Sequence, residues 1–458
     1  MFTPDPSESH TPTQNGHAPH QESNRSTAVY DVIGIGFGPG NLGLAIALNE
    51  GTGIKAMFLE KQNEFRWHDG MLLPGTTMQI SFLKDLVTMR NPESRYTFIN
   101  YLKEHDRLPD FINRQTFTPE RVEFSDYLRW VATNLDADVR YGRTVTALDH
   151  AIDDAPNGAR FTITAEGPDG PEIHYARTVV VASGLEERLP EWALGAELAE
   201  SGRVFHNHRL LDHLAALPEG LPRNALVVGA GQSAAEVIAY LHDAGANVEA
   251  AFHGYGFAPA DDSPFANRVF DPAAVDDFHR ASEDVRRDLV QRHRYTNYAC
   301  VDESLIVDLY NREYREQVTG EHRLNFHRVT RVMHARLAED GRVEVILRNR
   351  IDGTEHTTHV DAVVCATGFR SRGLSGLAPS LIGTETPQVS RDHHVIVNGR
   401  EVPGLFIQGA TESSHGLSAT LLSTIAVRAG ELCQALRADL QEENPNHVHT
   451  EQSVLAAR

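Results

Sequence analysis

Cysteine is scarce in this chain. Cys300, Cys365 and Cys433 are the three among 458 residues, and they are widely separated. That excludes a disulfide-stapled fold, a close redox-active cysteine pair and a thiolate metal site, and it suits a reducing compartment. Basic residues are also in deficit, with 42 Lys+Arg against 63 Asp+Glu and a net charge of −21. Nucleic acid and anionic membrane surfaces are therefore not expected partners. No apolar run approaches the roughly 20 residues of a spanning helix. The first residues lack the charged-then-apolar order of a secretion signal, so a soluble, cytoplasmic chain is expected. The 24 histidines show no His-Glu-x-x-His spacing, so no metal is expected, and no Gly-x-Ser-x-Gly turn supports serine hydrolysis. Asp261-Asp262, ahead of Ser263-Pro264, reads as a solvated loop and not as paired acid-base carboxylates.

What the chain has instead is two glycine-rich turns, each after an apolar run: Gly36-Phe37-Gly38-Pro39-Gly40-Asn41 and Gly229-Ala230-Gly231-Gln232-Ser233-Ala234. Each has the form of a strand-turn-helix that seats a pyrophosphate on a helix N-terminus, where free N–H groups and the helix dipole favour negative charge. The first turn follows a buried-strand pattern over 29–35 and precedes an apolar helix over 42–48. The next strand, 55–59, ends at Glu60, where a βαβ unit presents a carboxylate to a ribose hydroxyl. Asn41 stands where a third glycine is usual. The second turn lies between a strand at 224–228 and a helix at 234–242, and a further strand, 248–252, ends at His253. An acidic residue there would repel a 2′-phosphate, so its absence favours NADPH over NADH, with His253 as a weaker phosphate ligand than arginine.

Two nucleotides in one chain imply electron transfer between them. The segments 179–184 and 362–368, each an apolar strand ending in a small-residue turn, bracket the second unit as crossings between two nucleotide domains. The expected fold is α/β, with two Rossmann-like dinucleotide-binding domains and a small substrate-binding region. Residues 1–28, rich in Pro, Ser, Thr, Asn, Gln and His, read as a disordered tail. Residues 29–210 and 361–435 form the two parts of the first domain, 211–360 the inserted domain, and 436–458 a C-terminal tail.

Further segments carry a resemblance. They are Phe65-Arg66-Trp67-His68-Asp69-Gly70-Met71, the stretch from Met78 to Pro92, Asp262-Ser263-Pro264-Phe265-Ala266-Asn267, Tyr295-Thr296-Asn297-Tyr298 and the run from His415 to Ser423. With the first glycine turn, they make the chain resemble the microbial N-hydroxylating flavin monooxygenases over about residues 29–435. The resemblance implies FAD at Gly36, Gly38, Asn41, Glu60 through Trp67 and His68, Gln79, the backbone near Val145, and Thr420, Leu421 and Leu422 by the flavin ring. The second turn places NADPH at Gly229, Ala230, Gly231, Gln232, Ser233 and His253, and the resemblance adds Asn297. Lys84 matches the lysine that binds the substrate carboxylate; a lysine amid Phe82, Leu83, Leu86 and Val87 needs a partner for its ammonium. Asn297 matches a residue touching substrate carboxylate and nucleotide, and Asn267 and Ser423 match residues near the side-chain amine. Taken alone, either asparagine reads as a turn or cap residue.

The activity so implied is N-hydroxylation of the L-ornithine side-chain amine by a flavin C4a-hydroperoxide formed from O2, toward hydroxamate siderophores. No catalytic acid or base is implied. Arg90-Asn91-Pro92 and the run 267–270 look more like ornithine-type members, with L-lysine N6-hydroxylation the alternative. A flavin disulfide reductase would need the cysteine pair this chain lacks, and a nucleotide sensor would not need Lys84, Asn267, Asn297 and Ser423 together. Family members are often tetramers, so a homo-oligomer is expected.

Overall fold

The computed structural model describes residues 24–218, 220–383 and 387–442. The expected tails at 1–23 and 443–458 lie outside the described residues. The first ordered strand, β1 (Asn24–Ile35), starts ahead of the expected residue 29. It pairs with 172–173, shifts register between Arg25 and Val29, and then continues in parallel to Ile35. Residues 24–28 carry no apolar pattern, but ladder hydrogen bonds are made by the backbone and need none.

Helix α1 (Pro39–Asn49) and strand β2 (Ala56–Leu59) complete the first unit. Proline occupies the first helical turn, where its missing N–H costs nothing, so α1 begins three residues before the apolar pattern does. Among the described residues the larger sheet has nine strands. Its main path runs Gln388–Val389, His394–Val397, Arg400–Ile407, Gly170–Val181, β1, β2 and Asp138–Arg140. Val180 and Ile407 thus come from both parts of the chain that flank the second unit.

The smaller sheet has five strands, in the order Leu324–His327, β4, β3, Ala362–Cys365 and Val204–His206, with β3 as Asn224–Val228 and β4 as Asn247–Ala251. Its ladders are parallel, and helix α2 (Gln232–Asp243) follows β3. Val204–His206 joins this sheet from before residue 211. A separate three-stranded antiparallel sheet, Thr330–Leu337, Val343–Asn349 and Glu355–Val360, follows within the second unit.

Helix α3 (Ile425–Glu442) runs beyond residue 435, where a tail was expected, and buries Leu436 and Leu440 against the first core. That core also holds α1 and an aromatic cluster including Phe98, Tyr101, Phe124 and Tyr127. All three cysteines are buried and unpaired.

Candidate active site

The two glycine turns are built alike. Gly36 has φ +87°, and a Cβ there would lie 2.6 Å from the carbonyl oxygen of Ala182. Gly229 has φ +141°, and its Cβ would lie 2.2 Å from the carbonyl oxygen of Ala366. Each turn therefore presses against the end of the neighbouring crossing strand, at a distance only glycine permits. Gly38 and Gly231 are the N-cap residues of α1 and α2, with extended backbone and no capping side chain. The helix N–H groups of both are left without a side-chain acceptor, as an incoming phosphate requires.

Asn41 is fully buried. Its Nδ2 donates to the Gly36 carbonyl at 2.7 Å and its Oδ1 accepts from Gln408 Nε2 at 2.8 Å. The departure from glycine thus becomes a clamp that holds the turn and ties it to the strand end at residue 408. Glu60 is buried at the tip of β2; its carboxylate accepts the N–H groups of Phe37 (2.7 Å) and Gln62 (2.9 Å). Backbone bonds Glu60 N–H to Arg140 and Arg143 N–H to Glu60 bring the strand bearing half-buried Val145 beside it.

Trp67 packs edge-on against Phe124 at 5.9 Å, and His68, in a left-handed conformation with φ 57°, stacks edge-on against Trp67 at 4.5 Å. Desolvation, then His208 and Arg121, push the His68 imidazole down to about 3, so it is neutral. Gln79 is exposed and donates to Asp302 Oδ1 at 3.2 Å. Asp302 in turn accepts from Gln232 Nε2 at 2.9 Å and donates its N–H to Gln232 Oε1 at 2.9 Å. Asp302, which sequence reasoning passed over, therefore links the segment bearing Gln79 to the start of α2. Ala230 and Ser233 are half-buried beside that start. His253 is exposed just past β4, and its carbonyl accepts from Arg350.

The expected substrate residues are placed as follows. Lys84 sits in a short 3-10 segment, Phe82–Lys84, capped by Ser81. The next residue, Asp85, is buried and accepts N–H groups from Val87, Thr88 and Phe98 at 2.6–2.9 Å, which pins the loop to the helix starting at Phe98. Lys84 Nζ lies 5.8 Å from the Phe270 ring centroid and has no hydrogen bond or ion pair among the described residues. Phe270 and Asn267 share the 3-10 segment Ala266–Phe270, which packs against Leu417–Thr420. Asn267 donates Nδ2 to the Asp262 carbonyl at 2.7 Å. Ser423 is buried, and its hydroxyl has no partner among the described residues.

Asn297 follows Arg294–Thr296 and precedes Tyr298, whose hydroxyl donates to Glu412. Burial, then Glu412, holds this phenol above its usual range. The next residue, Ala299, has its Cα 3.8 Å from where a Gly231 Cβ would be, so the Asn297 segment spans from the second turn to the short helix Glu412–His415. Behind that loop, the buried Arg428 guanidinium donates to the carbonyls of Ala419 (2.8 Å) and Leu421 (3.5 Å). Desolvation lowers it to about 10. Thr420, Leu421 and Leu422 are half-buried on the open side. Nothing in the sequence marked Glu412 or Arg428, because their partners are distant hydroxyls and backbone carbonyls.

Residues 28–371 match the L-lysine 6-monooxygenase/L-ornithine 5-monooxygenase family. The chain belongs to this family. It is 38% identical over 430 residues to the L-ornithine N(5)-monooxygenase of Pseudomonas aeruginosa, covering 92% of this chain and 96% of that one. The ornithine N-hydroxylase of Kutzneria sp. 744, solved with reduced FAD, NADP+ and L-ornithine, is 37% identical. It superposes with a TM-score of 0.84 over 90% of this chain and 99% of that one. L-lysine 6-monooxygenase from Pseudomonas syringae is 31% identical, with a TM-score of 0.74 over 90% and 99%. Membership of this monooxygenase family agrees with two glycine turns of like build, each at a strand end and a helix N-terminus. It also agrees with the lack of a paired thiol, since the three cysteines are buried apart.

Proposed function

We propose that this chain is an FAD- and NADPH-dependent L-ornithine N5-monooxygenase. The observation that carries the reading is Lys84: a half-buried lysine whose ammonium has no hydrogen bond or ion pair among the described residues, close to Phe270 and so to the segment bearing Asn267. A cation so placed suits the substrate carboxylate, because an anion gains most where the cation is partly desolvated and otherwise unpaired. Asn267 and the unpartnered hydroxyl of Ser423 are neutral, which suits the far end of the substrate. A carboxylate there would hold the amine as ammonium and take away its reactive lone pair.

The first turn with Asn41 and Glu60 fits FAD, and the second turn with Gln232, Ser233 and Asn297 fits NADPH. FAD, when bound and reduced by NADPH, supplies the oxygen chemistry. The chain's own part is to bind, orient and exclude water. Arg428 holds the 417–423 loop through the carbonyls of Ala419 and Leu421, and Tyr298 is tied to Glu412 just ahead of it. Ornithine is favoured over lysine because the solved ornithine enzyme superposes more closely than the lysine enzyme. One methylene is worth only about 1–3 kcal/mol, so a secondary activity on lysine belongs to the same reading. N5-hydroxyornithine would then enter hydroxamate siderophore synthesis. Among the described residues no helix is long and apolar enough to cross a membrane. A cytoplasmic location and a homotetramer complete the proposal, the latter checked by light scattering.

The test is NADPH oxidation and hydroxylamine formation by FAD-loaded protein with ornithine, lysine or no amine. Product from ornithine is expected. NADPH consumption without product defeats the monooxygenase assignment, and product from lysine alone reverses the substrate. Lys84→Ala should raise the ornithine KM roughly 10- to 100-fold, the worth of one hydrogen bond to a charged group, while flavin reduction by NADPH stays near wild type.

A further inference from the structure

Strand β4 ends without the carboxylate that would select against a 2′-phosphate, yet His253 at its tip is a weak ligand for one. The separate three-stranded sheet supplies what β4 lacks. The backbone there is stitched to β4: Thr330 N–H donates to Phe252, Val329 N–H to Gly254 and Arg350 N–H to Val329, at 2.7–2.9 Å. Arg350 stands just past the strand Val343–Asn349, and its Nη1 donates to the His253 carbonyl at 2.9 Å. That bond fixes the guanidinium over the strand tip and leaves most of its donors open.

Three neighbouring arginines of this region are paired with carboxylates, whereas Arg331, exposed on the first strand of the sheet, is not among them. Arg328 pairs with Glu313, Arg336 with Glu344 and Arg348 with Glu355. Arg350 is exposed and has no carboxylate partner among the described residues. In a chain of 63 acidic residues, an arginine held at a nucleotide-strand tip and left unneutralised has a reason to be so.

We propose that Arg350 reads the 2′-phosphate of NADPH. A planar guanidinium can meet a phosphate through two parallel hydrogen bonds, which neither His253 nor a lysine can reproduce. The residue arrives from a hairpin about a hundred positions along the chain from β4. The inference rests on the second turn holding NADPH, as proposed above.

The test uses FAD-loaded enzyme and two non-reacting probes, 2′,5′-ADP and 5′-AMP, with dissociation constants measured by calorimetry. Wild type should prefer 2′,5′-ADP. Arg350→Ala should weaken 2′,5′-ADP at least about tenfold, with 5′-AMP, melting temperature and FAD content unchanged; Arg350→Lys should recover only part. An unchanged preference in Arg350→Ala overturns the assignment, as does an equal loss for both probes. A wild type without any preference would instead overturn the NADPH reading itself.

Discussion

Arg121 and Glu236 make the bond whose loss should be felt most. Arg121 opens the helix Arg121–Asn134, beside the first core, and Glu236 lies on α2, one turn past the second nucleotide turn. The two meet through a pair of hydrogen bonds of 2.8 and 2.7 Å, with side-chain exposures of 13% and 4%. Glu236 also accepts from Gln232 at 3.0 Å. A buried pair adds little over a well-packed apolar substitute, but removing one partner strands the other's charge out of water, at about 3–5 kcal/mol. Glu236→Gln keeps the shape and the Gln232 contact but removes the charge and turns the oxygen that accepts from Arg121 Nη1 into a donor, so about 3 kcal/mol is expected. Equilibrium urea unfolding, followed by far-UV circular dichroism and tryptophan fluorescence, should place this loss in the transition of the smaller sheet. The double variant Arg121→Met/Glu236→Leu should return to within about 1 kcal/mol of wild type. A loss below about 1 kcal/mol for Glu236→Gln, or a double variant as unstable as the single one, would refute the reasoning.

Gly229→Ala should abolish NADPH binding and lower the melting temperature by several degrees, since its Cβ would sit 2.2 Å from a backbone oxygen at φ +141°; fluorescence titration with NADPH and a melting curve check both. Stability should peak near neutral pH. His68 and His415, pushed down to about 3 and about 4 by desolvation, stay neutral in the fold while the unfolded chain takes up protons below about 6.5, so stability falls as pH drops below that value. His394 is raised to about 9 by Asp439 and Asp392 in spite of its burial; its contribution is complete below about 6.5 and is lost as pH rises through about 9. Melting temperatures from pH 4 to 10 should show both limbs, and His394→Gln should flatten the alkaline one.

The first nucleotide unit was almost fully legible, because glycine turns, apolar strands and a terminal carboxylate are local signals. Asn41 was recognised as a departure, but its partner Gln408 lies in a strand that only the sheet order brings near. The second unit was equally plain up to His253. Arg350 was invisible, since its relevance depends on an antiparallel sheet docking beside β4. Lys84 stood out as a charge among apolar neighbours. Tyr298 gains meaning only with Glu412, a contact across 114 residues. The polar start of β1 and the last turns of α3 were missed for opposite reasons. The former pairs by backbone alone, and the latter carries its two leucines among charged residues.

The burial of all three thiols has a consequence for the enzyme's durability. Proteins that handle oxygen at a reduced cofactor are exposed to hydrogen peroxide at its source, and peroxide attacks thiolates first. Desolvation raises Cys300 and Cys433 and pushes Cys365 up to about 12, so none presents a thiolate near neutral pH. Of the described sulfur-bearing residues the most exposed is Met89, at 40%, a thioether whose oxidation is reversible by repair enzymes. The scarcity of cysteine leaves little for leaked oxidant to inactivate.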